Sequence, residues 1–188
     1  MSSIEIKPLA LGRMDDYLQF FDKKAFTDNP RWAGCYCYFP YHDPAKTHWP
    51  ERSSEENRSA ICASIRAGAA MGYLAYVDGQ AVGWCNAAPR RFFPILQDEP
   101  APDAAQTGTI FCFIVAPEFR GRGVAAALLD AACAGLASHG LKVVEARPDK
   151  NAKTAAANHL GPLAMYLAAG FSIVREGDEG EVYVRKFI

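Results

Sequence analysis

The stretch Arg120-Gly-Arg-Gly-Val-Ala125 carries the clearest chemical content in the sequence. Its two glycines open backbone angles closed to other residues and let a ligand approach the main chain. The flanking residues indicate what that ligand would be. Thr109 to Val115 is a continuous run with β-branched and aromatic residues, the composition of a strand buried on both faces. Pro117 stops it, because proline has no N–H to give a ladder. From Arg122 the spacing becomes helical: Val124 and Leu128 are four apart, and Ala125, Leu129, Ala132 and Leu136 follow at four, three and four. The first N–H groups of a helix lack intrahelical partners and carry about half a positive charge. A strand, a glycine turn and a helix start therefore predict an anion cradle, most often for phosphate.

The chain lacks the longer glycine loop ending in Gly-Lys-Ser/Thr that a nucleotide P-loop needs, and the third glycine of a dinucleotide fingerprint is missing. The pattern that fits is Arg/Gln-x-x-Gly-x-Gly/Ala after a strand ending in Val-x-Pro-Glu, with Arg120, Gly123 and Ala125 in the fixed places. It resembles the acyl-CoA-binding motif of the GCN5-related N-acetyltransferases (GNAT). A second segment, Leu163-Ala-Met-Tyr-Leu-Ala-Ala-Gly-Phe171, resembles the Tyr-x-x-x-Gly-Phe element of the same family, and lies in the right order after the first. Val82-Gly-Trp-Cys85 with Ala88-Pro-Arg90, and Val144-Glu-Ala146, resemble a bacterial branch of it.

The resemblance implies acetyl-CoA as co-substrate, and an α/β (α+β three-layer) fold with a mixed, mostly antiparallel sheet flanked by helices. It places Phe113, Ile114 and Val115 beside the pantetheine, with the main chain of Phe113 and Val115 pairing to its amides where strands four and five splay. Backbone amides of Arg120, Gly121, Arg122, Gly123, Val124, Ala125 and Ala126 would hold the pyrophosphate. Asn158 would bond the pantetheine or a water, or cap a helix instead. The implied reaction is direct attack of an amine on the thioester carbonyl, with a thiolate leaving. An alkylammonium of pKa ~10.4 costs about 4–5 kcal/mol to deprotonate at neutral pH, so a base or water chain is needed. Tyr166 matches the family position of the acid that protonates the thiolate; packing against the sheet is the alternative. Glu145, on the strand beside the cradle, is the candidate base, acting through water, unless it serves as a surface or salt-bridged carboxylate. A catalytically silent acyl-CoA-binding module would use the same cradle.

These residues need a scaffold, and 188 residues suffice for a single domain spanning 1–188 with its own core. A net charge of −1 argues against nucleic acid as a partner. No apolar run approaches membrane-spanning length and no signal-peptide pattern opens the chain, so a cytoplasmic protein is expected. The oligomeric state, a homodimer among its options, is open, and so is the identity of the amine. Cys62, Cys85, Cys112 and Cys133 fall in apolar patterns as small core residues. Cys35 and Cys37 with His42 and His48 match no common zinc spacing, and no metal is expected.

The remaining pattern predicts strands at Ile4–Pro8, Met71–Val77, Ala81–Ala87, Leu141–Arg147, Phe171–Val174 and Val182–Phe187. Helices are predicted at Asp15–Phe26 and Ser53–Ala67, with a weaker one at Lys153–His159 and another from Gly161-Pro162 to Gly170. Asp78-Gly79 predicts a type I′ hairpin. Two irregular stretches remain. Asp28–Pro50 is packed with aromatics and suits either a wall of the acceptor pocket or a plug at the core edge. The segment from Pro89 to Gly108 opens with Arg90 and Arg91, which read more readily as a solvated pair than as anion contacts.

Overall fold

A computed structural model describes residues 3–188. One seven-stranded sheet runs through the molecule in the order β1-β2-β3-β4-β5-β7-β6. Its strands are β1 (Glu5–Pro8), β2 (Gly72–Val77), β3 (Gln80–Pro89), β4 (Thr107–Val115), β5 (Val143–Ala146), β6 (Ser172–Glu176) and β7 (Val182–Phe187). Every neighbouring pair is antiparallel except β4 and β5. A parallel pair needs a crossover, and α3 (Val124–Ser138) supplies it. The β2–β3 hairpin turns at Asp78 and Gly79 with φ of +49° and +75°, the double positive φ that the Asp-Gly pair predicts.

Alternation along the strands divides the interior in two. Leu74, Tyr76, Trp84 and Ile114 face α1 (Met14–Lys23) and α2 (Ser54–Arg66), where Tyr17, Phe20, Phe21, Ile61 and Ile65 meet them. Ala75, Cys85 and Phe113 face the other way, against Leu128, Leu129 and Leu136 of α3 and Tyr166 of α4 (Leu163–Ala168). Side chains of this size are worth about 1.5–3 kcal/mol each when fully buried, so the sheet is held from both sides. Close approach of α3 depends on Gly135: a Cβ there would lie 1.6 Å from the Tyr73 hydroxyl.

Several boundaries differ from the sequence expectation for identifiable reasons. Asp15 lies in the first turn of α1, and Arg13 holds the N-cap position. The helix ends at Lys23, with the chain then turning through Phe26. In α2 the capping box joins Ser53 to Glu56, and Asn57 donates to the Gly34 carbonyl at 2.9 Å. The helix after the glycine turn begins at Val124 and not Arg122, because Gly123 is left-handed at φ +82°. Strand β5 is limited to four residues, and a 3-10 turn at Ala157–Leu160 replaces the weak helix.

Candidate active site

Strand β4 is paired on both sides only at its start. Thr107, Gly108 and Thr109 face Val143, Val144 and Glu145, and beyond Thr109 no β5 partner follows. On the β3 side Asn86 pairs with Cys112 and Ala87 with Ile110, so Phe111 is an extra residue on β4, a bulge that bends the strand. The Ala116 N–H donates to Val82 of β3 at 2.9 Å. Backbone groups alternate sides along a strand, so those of Val115 and Phe113 point into the opening. One of them is already used: Arg120 Nε donates to the Val115 carbonyl at 3.0 Å. The Arg120 guanidinium also pairs with Asp28, which holds that carboxyl below its ordinary range chiefly through this hydrogen bond.

At the far end of the opening, Gly121 and Gly123 have φ of +70° and +82°, and a Cβ on either would meet nothing within 4 Å. Helix α3 starts there with no side-chain cap, and its first internal bond runs from Ala127 N–H to Gly123. The amides of Val124, Ala125 and Ala126 are therefore left for an outside acceptor. Arg122 lies exposed over the Phe119 ring, 5.2 Å from its centroid. A cavity of about 250 Å³ follows the opening and is bordered by Phe113, Ile114, Val115, Arg120, Ala125 and Asn158. Asn158 Nδ2 is bonded to the carbonyls of Ala152 (3.2 Å) and Thr154 (3.1 Å), so its amino group fastens its own loop. An open strand edge leading to free helix amides fits an elongated amide-bearing carrier that ends in a phosphate.

A second cavity of about 620 Å³ lies beside the first and shares Phe26, Trp32, Ile114 and His159 with it. Much of its wall comes from the irregular segment, with Trp32, Phe39 and Trp49 among the contributors, so the segment is a pocket wall. Its residues also reach the core, where Tyr36 and Tyr41 are buried. Arg52 lines the same cavity. Its Nε donates to Asn57 at 2.7 Å and it lies over the Tyr38 ring, with no carboxylate within 4.0 Å among the described residues.

The two expected catalytic residues occupy different settings. Tyr166 is fully buried between Phe113 and Phe171, and its hydroxyl donates to the Leu160 carbonyl at 2.8 Å. Burial pushes its pKa well above the ordinary tyrosine value. The Glu145 Oε1 accepts from Arg90 and, at 3.0 Å, from the Thr109 hydroxyl. Arg90 corrects the expectation of a solvated pair: it is 4% exposed and bridges Glu145 and Glu99, while Arg91 is exposed over Phe92. Arg147 joins the same network through Glu99. Desolvation works against charge on Glu99, but its hydrogen bonds from Arg90 and Arg147 prevail and lower its pKa.

His159 is a site residue that the sequence did not single out. It stands where the two cavities meet, edge-on to Trp32 at 4.7 Å. Its Nδ1 lies 3.0 Å from the Ala156 carbonyl. A carbonyl can only accept, so Nδ1 carries the proton and a neutral ring leaves Nε2 as a bare acceptor. Burial lowers its pKa below the ordinary histidine value, which favours that neutral form. A histidine three residues before the Pro162 helix was the available sequence signal, but its neighbours Trp32 and Ile114 are remote in sequence. The Cys35/Cys37 and His42/His48 group does not assemble. His42 Nδ1 bonds Phe39 and His48 is beside Glu51, and among the described residues no three His, Cys, Asp or Glu side chains could hold a metal.

Comparison with solved structures finds the same fold. The GNAT domain of S. lividans PAT superposes with a TM-score of 0.62 at 17% identity, covering 98% of this chain and 90% of that one. The paia N-acetyltransferase from Thermoplasma acidophilum, in complex with coenzyme A, gives 0.57 at 14% identity, covering 99% of both. The yncA structure from Salmonella typhimurium, with its cofactor acetyl-CoA, gives 0.55 at 12% identity, covering 98% and 93%. Identities this low speak for the fold alone. No curated protein matches the sequence. Among the described residues no helix is long and apolar enough to cross a membrane. The model of the Acetyltransferase (GNAT) family matches residues 37–171, from the aromatic pocket wall through the glycine cradle to Phe171, and the chain belongs to that family.

Proposed function

We propose that the chain is an acetyl-CoA-dependent N-acetyltransferase, a single domain over residues 1–188, acting on an amine of a small molecule or peptide. The observation that carries this reading is the meeting of two cavities at Ile114 and His159: one follows the open β4 edge from the free α3 amides, the other is walled by aromatic side chains. When bound, acetyl-CoA supplies an activated acyl group as a thioester. The main chain of Phe113 and Val115 aligns the carrier as an added strand would, and the amides from Gly121 to Ala126 hold its phosphates. Phe26 and Trp32 exclude water at the junction. His159 Nε2 takes the proton that the amine nitrogen sheds on acylation, the base role first assigned to Glu145. Glu145 is better placed to fix Arg90 and the start of the opening. Tyr166 serves as proton donor to the leaving sulfur only by exchanging Leu160 for it. The pocket favours an amine on an apolar body, and Arg52 suits an anionic group on that body.

An acceptor-library screen with acetyl-CoA, following release of free thiol, tests the proposal. Amine-dependent thiol release supports it. Tight CoA binding without turnover on any amine would instead establish the silent-module alternative.

A further inference from the structure

Charge around the larger cavity is uneven. Arg31, Arg52 and Arg147 border it, with Glu181 as the one acidic residue there among the described residues. Two of these four are engaged elsewhere. Arg147 pairs with Glu99 and lies over the Tyr183 ring. The Glu181 carboxylate is turned toward Gly177, where a Cβ would stand 2.8 Å from its Oε2. Arg31 and Arg52 have no carboxylate within 4.0 Å among the described residues. Two unbalanced guanidiniums in a space walled by aromatic rings attract an anion and repel a polycation.

Arg52 is the more firmly held of the two, half-buried where Arg31 is exposed. Its Nε donates to Asn57 Oδ1 at 2.7 Å, and its guanidinium carbon lies 4.9 Å from the centre of the Tyr38 ring. Asn57 is buried on α2 and donates to the Gly34 carbonyl at 2.9 Å, which ties the pair to the pocket wall. With Nε used, the two terminal nitrogens remain, and they form no hydrogen bond among the described residues. The terminal nitrogens of a guanidinium match the two oxygens of a carboxylate. Because the side chain is already fixed, little freedom is left to lose when that partner arrives.

Resting on the acetyltransferase reading above, we propose that the acceptor is a free amino acid with an aromatic or branched aliphatic body, its carboxylate received by the terminal nitrogens of Arg52. Arg52 and His159 line the same cavity, so one small molecule can offer its carboxylate to the first and its amine to the second. Trp32, Phe39, Trp49, Ile95 and Phe111 supply apolar wall for the body of that molecule. The cavity, about 620 Å³, lies within the usual range of small-molecule sites. The requirement for a carboxylate narrows the acceptor further. A peptide amino terminus has its own carboxyl tied up in an amide, and a polyamine brings only positive charge. Either would leave the Arg52 donors without a partner, which is where a site of this kind gains its selectivity.

The test uses the full-length protein with acetyl-CoA and matched acceptors: phenylalanine, tryptophan and leucine, their β- and γ-amino homologues, the carboxamide and the decarboxylated amine of each, and spermidine. The best acceptor should be an acid, with kcat/KM at least about a hundredfold above that of its own carboxamide. Arg52→Met should reduce this preference to within about fivefold, chiefly by raising KM for the acid, with CoA affinity unchanged. A merely structural role for Arg52 would depress acid and amide alike and would overturn the assignment. Should that variant fail to fold, the unsubstituted protein still decides. Calorimetry should show 3-phenylpropionate binding to the CoA-loaded protein and 3-phenylpropanamide failing to bind. Equal rates on acid and carboxamide, or a best acceptor that lacks a carboxylate, would overturn the proposal and leave the acetyltransferase standing. Binding of 3-phenylpropionate with no amine acetylated would instead reject the acetyltransferase and keep the carboxylate site.

Discussion

The β4–α3 corner and the aromatic pocket beside it offer a ligand different kinds of group. From Phe113 to Ala126 the groups offered are main-chain amides and carbonyls, placed by a bulge at Phe111, a proline stop and two left-handed glycines. In the pocket the groups offered are side chains from distant parts of the sequence. Trp32 meets the His159 ring edge-on, and Arg52, Ile114 and Arg147 border the same space. A backbone site tolerates wide side-chain change as long as its dihedral angles survive. A side-chain site can be altered residue by residue without disturbing the backbone of the corner. The division lets one fold keep its carrier and vary its acceptor.

Five substitutions probe this division. Gly123→Val should have the largest effect, abolishing CoA binding in calorimetry. It strains a left-handed position by about 1–2 kcal/mol and fills the space where phosphate would approach. Arg122→Ala, removing only an exposed charge, should weaken binding modestly; equal affinities for the two variants would refute a backbone cradle. Arg90→Met leaves Glu145 and Glu99 without their buried partner and should cost about 3–5 kcal/mol in denaturant unfolding. A loss under about 1 kcal/mol would make that network dispensable.

His159→Gln should slow single-turnover acetyl transfer by about a hundredfold or more with CoA affinity unchanged. In the unsubstituted protein that rate should fall as pH drops through the lowered His159 pKa. Stability should respond in the same window. Between the lowered folded value and the unfolded value near ~6.5 the unfolded chain binds more protons, so stability rises with pH, and His159→Gln should flatten the rise. Tyr166→Phe should have a small effect on folding, about 1 kcal/mol for the lost bond to Leu160. Single-turnover rates within about threefold of the unsubstituted protein would remove Tyr166 from the chemistry; a drop of about 10²-fold or more would place it there.

The fold was legible because its signals are local. Asp78-Gly79 specifies its own turn, Gly140 and Gly170 end α3 and α4 at φ of +79° and +85°, and the apolar periods of β4 and α3 assign them without reference to partners. The left-handed glycine turn before α3 was legible for the same reason. Glu145 shows where local reading stops. Its place on β5 was foreseeable, but Arg90 arrives from a segment whose prolines and short 3-10 turns carry no period. The Arg90-Arg91 pair looked alike in sequence, yet one is buried and the other exposed, since only Arg90 finds two carboxylates. His159 was obscure for a related reason: its place between the two cavities depends on Trp32 and Ile114, which only folding brings to it.

The short zipper between β4 and β5 has a mechanical consequence. The sheet is two panels, β1–β4 and β5–β7–β6, stitched by only three residue pairs at one end. A carrier that hydrogen-bonds along the open edge of β4 acts as a splint across the seam as well as a substrate. Its departure should loosen the panels at the free end while the stitched end, buttressed by Arg90 and Glu145, stays shut. On the proposed function each cycle would load and unload the joint, and the amides of Phe113 and Val115 should exchange hydrogen with solvent faster without coenzyme than with it.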